Sequence, residues 1–236
     1  MAAETYDAVT VEQRFFTLMP SRFPTVDVFA RVAGDRSAEL AEIESLTNPR
    51  LRERERLLNG TQSVDGNSPL LQNWNHAPFA YVNPEGSHFF GPEQPVLELA
   101  SDIQTALAIS IQRREVFLAR TGEGPLGLEM RELSRIVTGR FADGRDWQLN
   151  LDVEERRRRG QAIKGAGFDG LLYHPVERPA GYCVCVLKGA SLQRAMQRDH
   201  FKFVWDGGKV SKIYSFGSGA EYLPDDLRGM KQILAA

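Results

Sequence analysis

Apolar residues in this chain come in short blocks punctuated by turn chemistry, and that pattern constrains the fold more than any other feature. Arg14–Met19 (RFFTLM), Ala77–Val82, Pro95–Leu99, Leu126–Leu133, Ser134–Val137, Phe168–Tyr173 and Tyr182–Leu187 each read as a short strand. His200–Trp205 and Lys209–Tyr214 flank Asp206-Gly207-Gly208, a hairpin signature, because glycine supplies the positive φ of a tight turn. Helical spacing is sustained over Ile103–Leu118 and over Asp152–Ala166, where Asn150 or Asp152 can cap the start. A shorter helix is expected over Ser37–Ser45, capped by Ser37, with Leu40, Ile43 and Leu46 on one face. Asn48 and Pro49 suit the N-cap and first position of a further helix, RLRERERLL. Val26–Val32 is apolar enough to pack, with Val28, Phe29 and Val32 at helical spacing. Strands and helices interspersed in this way predict one compact α+β domain over 13–222. Residues 1–12 are expected to be a flexible N-terminus, and 223–236 a tail able to form a last helical turn.

Composition removes several function classes. The chain has 236 residues, 42% of them apolar, which is enough for a core and too apolar for a disordered chain. Lys and Arg number 29 against 31 Asp and Glu, so the net charge is -2. That balance argues against a protein that grips nucleic acid by neutralising phosphates. No stretch approaches the roughly 18 apolar residues of a membrane span. MAAETYDAVTVEQ lacks the basic and apolar regions of a secretory signal, so the expected compartment is the cytoplasm. Cys183 and Cys185 are the two cysteines. Residues two apart on a strand sit roughly 6.5 Å from each other, too far for an unstrained bridge. They read as two apolar side chains on one strand face, and no metal site is expected.

Generic motifs add little. The sequence holds no Gly-rich phosphate loop, zinc spacing or nucleophile elbow. His76, His88, His174 and His200 are scattered. The run Arg156–Arg159 is the densest charge cluster. On a helix it points around the whole circumference, so it reads as a solvated face, with phosphate contact as the sharper alternative.

Longer stretches are more specific. Phe16-Thr17-Leu18-Met19-Pro20-Ser21-Arg22-Phe23-Pro24 and Ile43–Arg52 come first, followed by the turn Asn83-Pro84-Glu85-Gly86-Ser87-His88-Phe89. Thr105–Ala108 and Arg114–Leu118 follow, then Gly167–Tyr173, Gly181 and Phe203–Gly207. This collinear set resembles the RES-domain proteins. The resemblance implies a fold similar to ADP-ribosyltransferases and a bacterial toxin–antitoxin context. It implies NAD as substrate or ligand, with no resident cofactor. Its active members resemble NAD-degrading enzymes, cleaving the nicotinamide–ribose bond by hydrolysis or phosphorolysis, or transferring ADP-ribose. The implied partner is an antitoxin-like protein or a second copy of the chain, not nucleic acid and not a membrane.

The positions that name the family depart here. Its turn arginine falls on His88, its helix glutamate on Ile109 and its serine on Pro175. A family tyrosine falls on Glu98, and two arginines fall on Thr17 and Glu177. Cleaving the nicotinamide bond builds positive charge on the ribose, which a nearby carboxylate stabilises while cations hold the pyrophosphate. Ile109 offers no charge, and Pro175 has neither hydroxyl nor N–H. The main expectation is therefore a catalytically impaired binding or regulatory module. The alternative is an active enzyme with a rebuilt site. There His88, Glu98 and Glu177 would be catalytic, and Ser87, His88, Phe89, Tyr173 and Arg178 would bind the dinucleotide, with Arg113 or Arg114 also able to face phosphates. Whether His88, Glu98, Ile109 and Pro175 converge on one open cleft separates these readings.

Overall fold

The computed structural model describes residues 6–21, 36–60, 63–81 and 83–234. The expectation over Val26–Val32 lies outside them. Strand β1 (Ala8–Pro20) pairs antiparallel along its whole length with β3 (Leu126–Asp143), Ala8 opposite Ala142 and Pro20 opposite Met130. This corrects two expectations. The first strand starts at Ala8, inside the stretch read as flexible, and Leu126–Val137 belongs to one long strand instead of two. Each correction has the same cause, because a polar segment with little signal of its own is held by the ladder of a long neighbour.

The sheet closes on itself at one end. β3 pairs parallel with β4 (Gly170–Tyr173), β4 antiparallel with β5 (Cys183–Val186), and β5 antiparallel with β2 (Leu97–Ala100). β2 returns to β1 through Phe16 and Ala100. The other half of β3 pairs with β6 (Met196–Trp205), which continues into β7 (Val210–Ser215) and β8 (Glu221–Tyr222). The expected hairpin is β6–β7, with Gly207 at φ 101 in its turn.

Alternation sorts the side chains. Val11, Phe15, Leu97, Leu99, Val137, Phe141, Leu172, Val184 and Val186 form one buried cluster. Phe16, Ala100, Ala142, Leu171, Tyr173, Cys183 and Cys185 face the other way, into a second cluster. Helix α4 (Ile103–Thr121) contributes Ala106, Leu107 and Ile111 to that second cluster, and α5 (Val153–Gly165) contributes Ile163. Both cysteines are thus buried on one face of β5, as expected.

Helices α1 (Ser37–Thr47) and α2 (Pro49–Asn59) meet at Asn48, whose Oδ1 accepts the Arg50 N–H at 3.0 Å. The α1 cap position is Arg36 and not Ser37, and Ile43 and Leu46 are exposed. Ala77–Val82, expected as a strand, lies mostly in α3 (Asn73–Ala80). Gln72 and Asn75 bind the chain near Gln193–Ala195, and this docking overrides the local preference. The last helix, α6 (Pro224–Arg228), buries Leu227. Gln104 then straps the tail to α4 by donating to the carbonyls of Leu227 and Lys231 and accepting from the Ile233 N–H.

Candidate active cleft

Four segments meet around one open cleft of about 940 Å³: the turn before β2, the outer face of α4, the first turn of α5 and the loop after β4. The turn is built by Asn83, whose amide reaches the Gly86 carbonyl, and by Gly86 at φ 70. Ser87 Oγ accepts the Phe90 N–H at 3.1 Å and closes it. Glycine fits this position because a Cβ there would lie 2.4 Å from the Phe90 carbonyl oxygen.

The turn delivers His88, whose ring stacks on Tyr173 at the end of β4, with centroids 5.0 Å apart and planes 5° from parallel. Arg156 Nη1 lies 3.0 Å from His88 Nδ1, so a neutral imidazole accepts from the guanidinium. Burial lowers the His88 pKa to about 4, with Arg156, Arg113 and Arg157 adding to the effect and Glu98 opposing it.

That shift has a consequence for stability. The unfolded imidazole takes up a proton near 6.5, whereas the folded one resists until about 4. Protonation between these values favours the unfolded chain, so stability falls as pH drops through that window, by at most about 3 kcal/mol. His88→Gln is expected to flatten this dependence, which urea melts at pH values above and inside the window would show.

Glu98 lies beneath the cleft. Its side chain is 8% exposed, and three donors hold it. The His88 N–H reaches Oε1 at 3.0 Å, the Tyr173 hydroxyl reaches Oε1 at 2.9 Å, and Arg113 Nη2 reaches Oε2 at 2.6 Å. Burial alone would raise its pKa, but these partners outweigh burial and hold the carboxyl below its ordinary value. Burial pushes the Tyr173 pKa well up, so its hydroxyl stays a donor. Glu98 borders a smaller cavity of about 80 Å³ with Thr17, Ile109, Arg113, Arg114 and Tyr173. Ile109, Arg113, Arg114 and Tyr173 also line the main cleft, so the two cavities adjoin.

The expected site residues separate into groups. His88, Ile109, Tyr173, Pro175 and Glu177 all line the main cleft, and Ser87 lines it at the turn. Phe89 stands behind them, edge-on to Tyr173 and Trp147 and buried. Arg178 is elsewhere. It is 2% exposed and donates to Thr105 Oγ1 at 2.8 Å and Gln232 Oε1 at 2.7 Å, with Asp102 beside it. The N-cap of α4 and the C-terminal strap thus take the guanidinium that the sequence offered to a phosphate.

Two arginines of the run read first as a solvated face, with phosphate contact as the alternative, take its place. Arg156 and Arg157 line the cleft, Arg157 donating to the Ser87 carbonyl at 3.0 Å, while Arg158 and Arg159 pair with Glu155. The available signal was Asp152, whose side chain caps α5 at the Glu155 N–H and so fixes which arginines fall in its first turn. With Arg113 and Arg114, four guanidinium groups border the cleft. The facing carboxylates are Glu85, engaged by Arg120, and Glu177.

Comparison with known proteins decides the family. The model of the RES domain matches residues 69–206, more than half of the chain. The chain belongs to the RES-domain family. The matched span holds every residue of the cleft named above. The stretches at 16–24 and 43–52 precede it. The uncharacterized protein y4oC of Sinorhizobium fredii is 47% identical to this chain over 231 residues. The alignment covers 97% of this chain and 99% of that protein, so this likeness extends beyond residues 69–206 to nearly the full length. Among the described residues, no helix is long and apolar enough to cross a membrane, and no group of His, Cys, Asp or Glu is placed to hold a metal ion.

Proposed function

We propose that this RES-domain protein binds a dinucleotide of the NAD class in the cleft and leaves it intact. The observation that carries the reading is the pairing of four cleft guanidiniums with Ile109 and Pro175, which stand where the family resemblance implies a carboxylate and a hydroxyl. The arginines supply what a pyrophosphate needs, charge and planar donors. Cleavage needs more, namely an anion facing the ribose carbon as positive charge builds there. Glu98 is poorly placed for that role, because Arg113, Tyr173 and the His88 N–H already take its oxygens. Neutral His88, stacked on Tyr173, offers a flat polar surface for a sugar or base. The role that fits is a binding or regulatory module. A protein partner of the antitoxin kind would find Phe117 and Val153 on the cleft lining, each more than half exposed.

The test is a calorimetric titration of the purified protein with NAD beside a nicotinamide-release assay. Saturable binding with no release above a protein-free blank is expected. The double variant Arg156→Glu/Arg157→Glu should weaken binding at least about tenfold, since each lost charge-assisted contact is worth about 1.5–3 kcal/mol. Release well above the blank, or no binding at all, would overturn the reading. A second reading rests on Glu177, which lines the same cleft as His88 and could face the ribose. Its signature is nicotinamide release that Glu177→Gln abolishes.

A further inference from the structure

We infer that a second ligand site, separate from the cleft, lies at the bulge between β3 and β6 and takes a small zwitterion of the α-amino-acid class. A cavity of about 520 Å³ opens there, lined by Arg14, Phe16, Ile103, Glu132, Arg198 and Asp199. Arg131 pairs with His200 and Leu133 pairs with Gln197, so Glu132 alone faces both Arg198 and Asp199. Such an irregularity gives up ladder hydrogen bonds and re-aims side chains. Here it sets a cation and an anion side by side across from a third charge.

Glu132 is the centre of the site. The residue is 7% exposed, and its carboxylate takes the Asp199 N–H and feels the charge of Arg198. One backbone donor leaves most of the acceptor capacity of a buried carboxylate unused, which is costly. Burial and the neighbouring Asp199 hold its pKa above the ordinary value, against the Asp199 N–H and Arg198. The other charges are held in place. Arg198 Nε donates to Ser134 Oγ at 3.1 Å, leaving its terminal nitrogens for the cavity. Asp199 accepts from the Ser215 hydroxyl at 2.6 Å and from the Gly217 N–H at 2.7 Å, so its role is structural. What remains is one under-partnered acceptor, Glu132, with two guanidiniums, Arg14 and Arg198, around it.

This arrangement selects against simple ions. A lone anion would meet Glu132 and Asp199, and a lone cation would meet two arginines. A molecule with an ammonium beside a carboxylate satisfies both, the ammonium on Glu132 and the carboxylate on Arg14 and Arg198. Phe16 and Ile103 form the apolar wall that an aliphatic side chain would contact.

The experiment titrates the intact protein with free L-amino acids one at a time by calorimetry, then with the N-acetyl and carboxamide forms of any that binds. At least one amino acid should saturate the protein, and masking either charge should weaken it about tenfold or more. Glu132→Gln and Arg198→Met should weaken it likewise. Should either variant fail to fold, the masked ligands on the wild-type protein carry the same test. No binding by any amino acid overturns the site. So does equal binding of the masked forms, or saturation by inorganic phosphate with no response to amino acids.

Discussion

Arg113→Met is expected to destabilise the protein by about 3 kcal/mol, the low end for stranding a buried ion. The two partners are unequal. The Arg113 side chain is 53% exposed, whereas that of Glu98 is 8% exposed. Removing the arginine leaves a carboxylate that cannot reach water. Removing the carboxylate leaves a guanidinium that can. Glu98→Gln should therefore cost clearly less, because the amide keeps part of the Tyr173 and His88 hydrogen bonding. The double variant should recover much of the loss, with a coupling of at least about 1 kcal/mol in a urea-melt cycle at neutral pH. Strictly additive single effects would show that the pair is not coupled. The acid limb supplies a second check. Without Arg113, one of the groups that lower the Glu98 pKa is gone, so that pKa rises from its wild-type position. The folded variant then holds a proton more tightly than the folded wild type, so its deficit relative to wild type shrinks as pH falls.

Gly170→Ala is expected to cost about 4 kcal/mol or more, or to prevent folding. A Cβ on Gly170 would lie 1.9 Å from the Cys185 carbonyl oxygen and 2.9 Å from the Phe141 ring. Neither neighbour can yield, because Cys185 sits in a buried strand and Phe141 is fully buried. β4 would have to part from β5, and Tyr173 at its far end would lose its hold on His88 and Glu98. Ligand binding in the cleft should disappear with stability. Gly165→Ala is the control: nothing lies within 4 Å of its Cβ, so that variant should be neutral or slightly stabilising in the same melt.

Local chemistry explains which parts of the fold were legible. The β6–β7 hairpin, the Asn48 cap and the helices α4 and α5 rest on turn glycines, capping side chains and periodicity within a few residues. Where a distant neighbour supplied the decisive bonds, local preference failed. Ala8–Glu12 is polar enough to suggest a loose end, yet it has β3 to pair with. Tyr81 and Phe79 favour strands, yet the stretch is drawn into α3, docked through Asn75 to the Gln193 carbonyl. Arg135 is a similar case. It is 2% exposed and donates to the Trp74 carbonyl and Asn75, a burial that no pattern in β3 announces.

Residue types and their order carry the α+β class, the family, and the departures at Thr17, His88, Glu98, Ile109, Pro175 and Glu177. These are facts about residue types and their order, which need no third dimension. How the charges are shared out follows from folding. It turned Arg156 and Arg157 from a solvated run into cleft donors, drew Arg178 away to Thr105 and Gln232, and gave Glu98 to Arg113. It also left Glu132 buried opposite a bulge. The physical reason is that an ionic group acts according to its distance and burial, and both are set by residues far away in the chain.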